Sequence, residues 1–111
     1  MALSNLQGKT AIITGAGAGI NLSFAKLLLT KSCNVLIADV ALRPEAKEIV
    51  DKHTTGIPRA IFQQTDVRDW TQLQRMFDIC EQEFGPADIV CPAAGVYEPV
   101  RIMPPPHHTP G

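Results

Sequence analysis

Short runs of consecutive apolar residues alternate along this chain with stretches whose apolar positions recur at helical spacing. Thr10-Ala11-Ile12-Ile13 is an apolar run closed by a glycine cluster, the pattern of a strand covered on both faces. Residues 20–31 follow, with Ile20, Phe24, Leu27 and Leu28 spaced to share one face of a helix. Val35-Leu36-Ile37-Ala38 predicts a second buried strand. Pro44 then fits the first turn of a helix running to about His53, with Ala46, Ile49 and Val50 inward. A third strand is expected over residues 60–64. Asp69 is placed to cap a long helix whose buried stripe is Trp70, Leu73, Met76, Phe77, Cys80 and Phe84. Gly85-Pro86 stops that helix, and Ile89-Val90-Cys91 is the fourth strand.

Strands separated by helices pair in parallel through right-handed crossovers, so the pattern predicts an α/β fold with an open parallel sheet of about four strands. No two-residue turn suited to a hairpin interrupts it. In a doubly wound sheet the expected strand order is 3-2-1-4, with the first two crossover helices on one face and the third on the other. The fourth strand then ends the sheet as an apolar edge with unpaired backbone groups. Self-association, or completion by a partner chain, is expected through that edge.

From Tyr97 the alternation stops. Five of the nine prolines fall within residues 98–111, three of them consecutive at Pro104, Pro105 and Pro106. The expected organisation is therefore one domain over residues 1–97 and a proline-rich tail over 98–111 that samples extended polyproline conformations. The tail has no P-x-x-P spacing, and its adjacent His107 and His108 have no further ligands nearby, so no metal site is expected there.

Composition narrows the function classes. A chain of 111 residues has room for one small domain, and 45% apolar residues suffice to pack it. Ten basic and eleven acidic side chains, without a run of either sign, exclude attraction to nucleic acid or to an anionic membrane. The first nine residues hold no apolar leader and no stretch approaches the length of a membrane span, so a cytoplasmic location is expected. Cys33, Cys80 and Cys91 are far apart and odd in number, which points to reduced thiols.

The candidate chemistry lies between the first strand and the first helix, in Thr14-Gly15-Ala16-Gly17-Ala18-Gly19-Ile20-Asn21. A glycine-rich turn here lets backbone approach a phosphate, and the following helix points free N–H groups at the anion. Asp39, at the end of the second strand and twenty positions after Gly19, can accept hydrogen bonds from both hydroxyls of an adenosine ribose. The same carboxylate would repel a 2′-phosphate, so NAD is favoured over NADP as cofactor.

The glycines do not fit G-x-G-x-x-G, because its third glycine would fall on Ile20. Thr14, Gly15 and Gly19 instead match the T-G-x-x-x-G-x-G pattern, and with it the chain resembles the short-chain dehydrogenase/reductase family, a Rossmann fold. Gly8-Lys9-Thr10-Ala11-Ile12-Ile13 is similar to that family's first strand, Asp66-Val67 to its adenine contact, and Ala93-Ala94-Gly95 to part of its N-N-A-G block. The wording of Gly17-Ala18-Gly19-Ile20-Asn21 and of Gly95-Val96-Tyr97-Glu98-Pro99 looks most like fungal members, several of which serve secondary-metabolite pathways. The resemblance covers about residues 6–99. It implies an oxidoreductase whose cofactor contacts are Gly15, Gly17, Gly19, Ile20, Asp39, Asp66, Val67, Ala93 and Gly95.

Two departures stand out. Asn21 replaces the last glycine of the loop, where it can cap the start of the helix. Pro92 and Ala93 replace two asparagines, which removes a side-chain contact that ties down the fourth strand in the family. The resemblance also implies a Ser, a Tyr and a Lys four residues after that Tyr, which lie several dozen residues beyond Gly95 in the family. Here the only tyrosine is Tyr97, the residue four on is Arg101, and no lysine follows Lys52. No catalytic residue is assigned, and the chain alone is expected to bind cofactor without turnover. The alternatives are a non-catalytic NAD-binding or partner-completed regulatory module, and a fragment of an S-adenosylmethionine methyltransferase, whose glycine loop is similar.

Overall fold

In the computed structural model, residues 6–15 and 19–92 are described, Gly19 and Ile20 by backbone alone. The elements follow the order β1 (Thr10–Thr14), α1 (Gly19–Thr30), β2 (Asn34–Asp39), α2 (Pro44–Lys52), β3 (Ala60–Gln64), α3 (Trp70–Glu83) and β4 (Ile89–Cys91). Every strand predicted from the apolar runs is present. The four form one sheet in the order β3-β2-β1-β4, with every neighbouring pair parallel. Ala11 lies opposite both Val35 of β2 and Ile89 of β4, which makes β1 the centre of the domain.

Because side chains alternate across a strand, β1 and β2 feed two separate cores. Ala11, Ile13, Val35 and Ile37 face α1 and α2, where Leu22, Ala25, Leu28, Ala46 and Ile49 cover them. Ile12, Leu36 and Ala38 face α3 and meet Leu73, Met76 and Cys80. The third crossover thus runs to the opposite face from the first two, as a doubly wound sheet requires. Ile12, Ile13, Leu36 and Ile37 are wholly buried, and each such side chain contributes about 1.5–3 kcal/mol of transfer free energy.

Helix ends follow their local chemistry. Asp69 caps α3 by accepting from the backbone N–H groups of Thr71 and Gln72, and Gly85 takes φ +104° just past its end. Pro44 opens α2, and its buried residues are Ala46 and Ile49, with Val50 half-buried.

Two helix faces differ from expectation. Leu27 of α1 is 40% exposed, while Leu22, Ala25, Leu28 and Leu29 are buried. Ser23, Lys26 and Thr30 fall within about 60° of one another on the solvent side of this helix, and Leu27 lies at the margin of that polar face. Packing places the small Ala25 against the sheet and turns Leu27, 200° around the helix, outward. Trp70 is 54% exposed rather than buried. It opens α3 beside the loop after β3, while the inward stripe proper begins at Leu73.

Long-range polar contacts lock the frame. Thr10 N–H donates to Asp88 Oδ2 at 2.9 Å and Asp88 N–H to Thr10 O at 2.8 Å, which pins the start of β4 to β1. The Arg59 guanidinium pairs with Glu83 at 2.7 Å and lies 5.2 Å from the centre of the Phe84 ring, tying β3 to the end of α3. Cys33, Cys80 and Cys91 are free thiols. Burial pushes Cys33 and Cys80 up to about 11. Among the described residues no helix is long and apolar enough to cross a membrane, and β4 pairs only with β1, leaving Val90 36% exposed.

Candidate functional site

The carboxyl ends of β1, β2 and β3 rise to one edge of the sheet and enclose a cleft of about 250 Å³, lined among others by Gly15, Asp39, Val40, Asp66, Val67 and Arg68. Open α/β sheets bind ligands at the carboxyl ends of their strands, and the cleft lies on the β2 side of the β1–β4 junction where the strand order reverses. Gly15 leaves β1 with φ +67°, a left-handed conformation that glycine adopts without cost, and its N–H donates to Ala38 O at 2.8 Å. The chain turns there toward α1, which begins at Gly19 and carries no acidic residue in its first turn to compete with an anion. Gly19 and Ile20 therefore stand in that first turn, as expected. Gly17, Ala93 and Gly95 lie outside the described residues, as do Tyr97, Arg101 and the proline-rich tail.

Asp39 is the last residue of β2 and is half-buried. One carboxylate oxygen accepts from Val40 N–H at 2.7 Å. A carboxylate has about four acceptor positions, so the remainder can take two ribose hydroxyls. Across the cleft stands Asp66, in the loop after β3. Arg68 encloses its carboxylate, donating through Nε to Oδ1 and through Nη2 to Oδ2, both at 3.0 Å, and through its backbone N–H to Oδ1 at 3.0 Å. These bonds hold the Asp66 carboxyl below the usual carboxylate range. Val67, 40% exposed, and Val40, 53% exposed, present apolar surface to the same cleft.

Sequence reasoning missed Arg68. The signal was present as Asp-x-Arg, a spacing at which a side chain can fork onto a carboxylate two residues earlier. Among the described residues lining the cleft Arg68 is the only cation, and Asp66 already occupies it.

Asn21 corrects a second expectation. Among the described residues its side chain makes no capping bond to α1. It is buried, and its Nδ2 donates to Thr14 O at 2.7 Å and to Pro92 O at 3.1 Å. The Thr14 hydroxyl adds a longer bond to Cys91 O at 3.4 Å. The ends of β1 and β4 are therefore joined by side chains, and the contact expected to be lost with the substitutions at Pro92 and Ala93 has a counterpart from the helix side.

The geometry suits one half of a dinucleotide. A cleft of about 250 Å³ falls below the ~300 Å³ at which whole-ligand pockets begin, yet it combines apolar walls with a carboxylate able to accept from hydroxyls. A second cavity, of about 290 Å³ between α1 and α2, involves Lys26, Leu29, Ile49 and His53 near the helices' carboxyl ends, away from this edge.

Fold and cleft define a doubly wound open α/β domain. The family is specific: residues 9–107 match the short chain dehydrogenase family, and the chain belongs to it. It is 34% identical over 91 residues to a versicolorin reductase of Emericella nidulans, covering 82% of this chain and 34% of that protein. It is also 34% identical over 97 residues to a hydroxynaphthalene reductase-like protein of Metarhizium acridum, covering 86% of this chain and 36% of the relative. An oxidoreductase from Haemophilus influenza solved with bound NAD superposes with a TM-score of 0.67 at 26% identity, covering 79% of this chain and 32% of that structure. The chain thus spans about a third of the length of the proteins it matches. Family membership sets aside the methyltransferase alternative.

Proposed function

We propose that this chain supplies the adenosine and pyrophosphate half of the cofactor site of an NAD-dependent oxidoreductase. The observation that carries the proposal is the convergence of left-handed Gly15 and the Asp39 carboxylate on one cleft at the carboxyl ends of the strands. In this reading the backbone of Gly15, Gly17, Gly19 and Ile20 approaches the pyrophosphate, and Asp39 accepts from the ribose hydroxyls. The purine lies between Val40 and Val67, Asp66 faces its edge, and Ala93 and Gly95 continue the site toward the nicotinamide. Residues 1–97 are the binding unit. When bound, the cofactor supplies hydride exchange; the groups of this chain bind and orient it.

NAD is preferred over NADP because a 2′-phosphate would face Asp39 while the cleft's described cation, Arg68, is already paired. The likeness to fungal versicolorin and hydroxynaphthalene reductases supports a place among the reductases of fungal secondary metabolism. The apolar edge at β4 supports a homo-oligomer or a partner chain that completes the sheet.

Calorimetry with NAD and NADP on the 111-residue chain tests the proposal. Weak binding is expected, tighter for NAD, with no turnover of alcohols or ketones when reduced nicotinamide is followed by absorbance. Equal affinity for the two cofactors, or none for NAD, overturns the assignment.

A further inference from the structure

Asn21 sits in the first turn of α1, only 4% exposed, with its amide between the ends of two strands that are far apart in sequence. Both bonds donated by its Nδ2 go to backbone carbonyls at the end of the β1–β4 pair, whose last aligned residues are Ile13 and Cys91. Thr14 O belongs to the residue immediately before the left-handed Gly15, and Pro92 O to the first residue past β4. Pro92 has no N–H of its own to add to the ladder. One side chain therefore sets three things against each other: the residue before the glycine turn, the first turn of α1, and the exit of β4.

We infer that Asn21 is a positioning residue for the cofactor: it fixes the distance between the glycine turn and the end of β4, the gap a dinucleotide must cross from its pyrophosphate toward its second nucleoside. The inference rests on the proposed cofactor reading. Its physical basis is a cost on opening. Separating β1 from β4 here leaves the buried Asn21 amide short of one of its two acceptors, a state that folded proteins avoid. A glycine or alanine at position 21 has no donor to offer. The same atoms supply a local reporter, because Cys91 Sγ lies 3.9 Å from Asn21 Oδ1 at the end of β4. Cys33 and Cys80 are wholly buried in the two cores and report global opening instead.

The test compares Asn21→Ala with Met76→Ala, which weakens the α3 core away from the cleft, at a temperature where both are folded. Alkylation of each cysteine is followed by peptide mass spectrometry, and NAD affinity by calorimetry. Asn21→Ala is expected to label about tenfold faster at Cys91 with Cys33 and Cys80 unchanged, and to bind NAD about tenfold more weakly, the lower end for the loss of two hydrogen bonds. Met76→Ala should raise all three labelling rates together and leave NAD affinity within about twofold. Asn21→Ser, which keeps one donor, should fall between Asn21→Ala and the unmodified chain. Cys91 labelling that rises no more than Cys33, or NAD affinity that matches Met76→Ala, overturns the inference while the cofactor reading stands. Absence of NAD binding by the unmodified chain overturns both. Failure of both position-21 variants to fold would make Asn21 a stability determinant and would also overturn it.

Discussion

Replacing Asp39 by alanine puts the cofactor assignment under the most direct strain. In the fold the carboxylate gives one acceptor position to Val40 N–H and keeps the others toward the cleft. Two ribose hydroxyls would each form a charge-assisted hydrogen bond, about 1.5 kcal/mol at the lower end of the range, or about 3 kcal/mol together. Asp39 is half-buried, so water competes, and about 2 kcal/mol is the better expectation, close to 30-fold in affinity. NADP behaves differently. Its 2′-phosphate would stand about 5 Å from the carboxylate, a repulsion of about 1–3 kcal/mol per unit charge between aqueous and surface dielectric. Removing Asp39 relieves that repulsion and offsets the lost hydroxyl contact. The expected result by calorimetry is NAD weakened about 30-fold with NADP unchanged or tighter. Parallel losses for both cofactors, or a change in NAD below about threefold, would refute the reasoning.

Three further outcomes are expected. Met76→Ala, at a wholly buried position, should cost about 2–5 kcal/mol in chemical denaturation, whereas Trp70→Ala, at a site 54% exposed, should cost under about 1 kcal/mol. Stability should respond to pH at both extremes. Cys33 and Cys80 are raised in the folded state from 9.0 to about 11, so their contribution is complete below pH 9.0 and is lost as pH rises through about 11; Asp66 is lowered from 3.8, so its contribution is complete above pH 3.8 and is lost as pH falls through the lower folded value. Melting temperatures of the unmodified chain and of Asp66→Asn that fail to converge in acid would contradict the second half. Finally, Val90→Lys at the β4 edge should reduce light scattering across a concentration series, and scattering unaffected by that change would remove the edge from consideration as an interface.

How much of this was written in the chain varies with the range of the interaction. The strands were legible because β1 and β2 are buried on both faces, so their residues must be apolar without alternation. The cap at Asp69 and the stop at Gly85 depend on bonds within a few residues, which spacing captures. Gly15 and Asp39 were legible for a related reason: each must sit at the end of a particular strand, and strand ends can be found locally.

What spacing did not fix is where the buried face of α1 ends, or which polar groups meet across the sheet. Leu27, flanked on the helix surface by Ser23 and Thr30, turns outward, while Leu28 packs into the core against β1 and β2. Asn21 reads as a helix cap until the fold brings Pro92, 71 residues on, within 3.1 Å of it. Asp88 carries no local signal, and only parallel pairing sets it against Thr10, 78 residues away. The amino-acid sequence by itself determined the elements, their order and the family, because these follow from local geometry and from short motifs. The tertiary structure alone decided how the ends of β1 and β4 are joined, because a side-chain amide finds its acceptors only after the crossovers have brought distant backbone together.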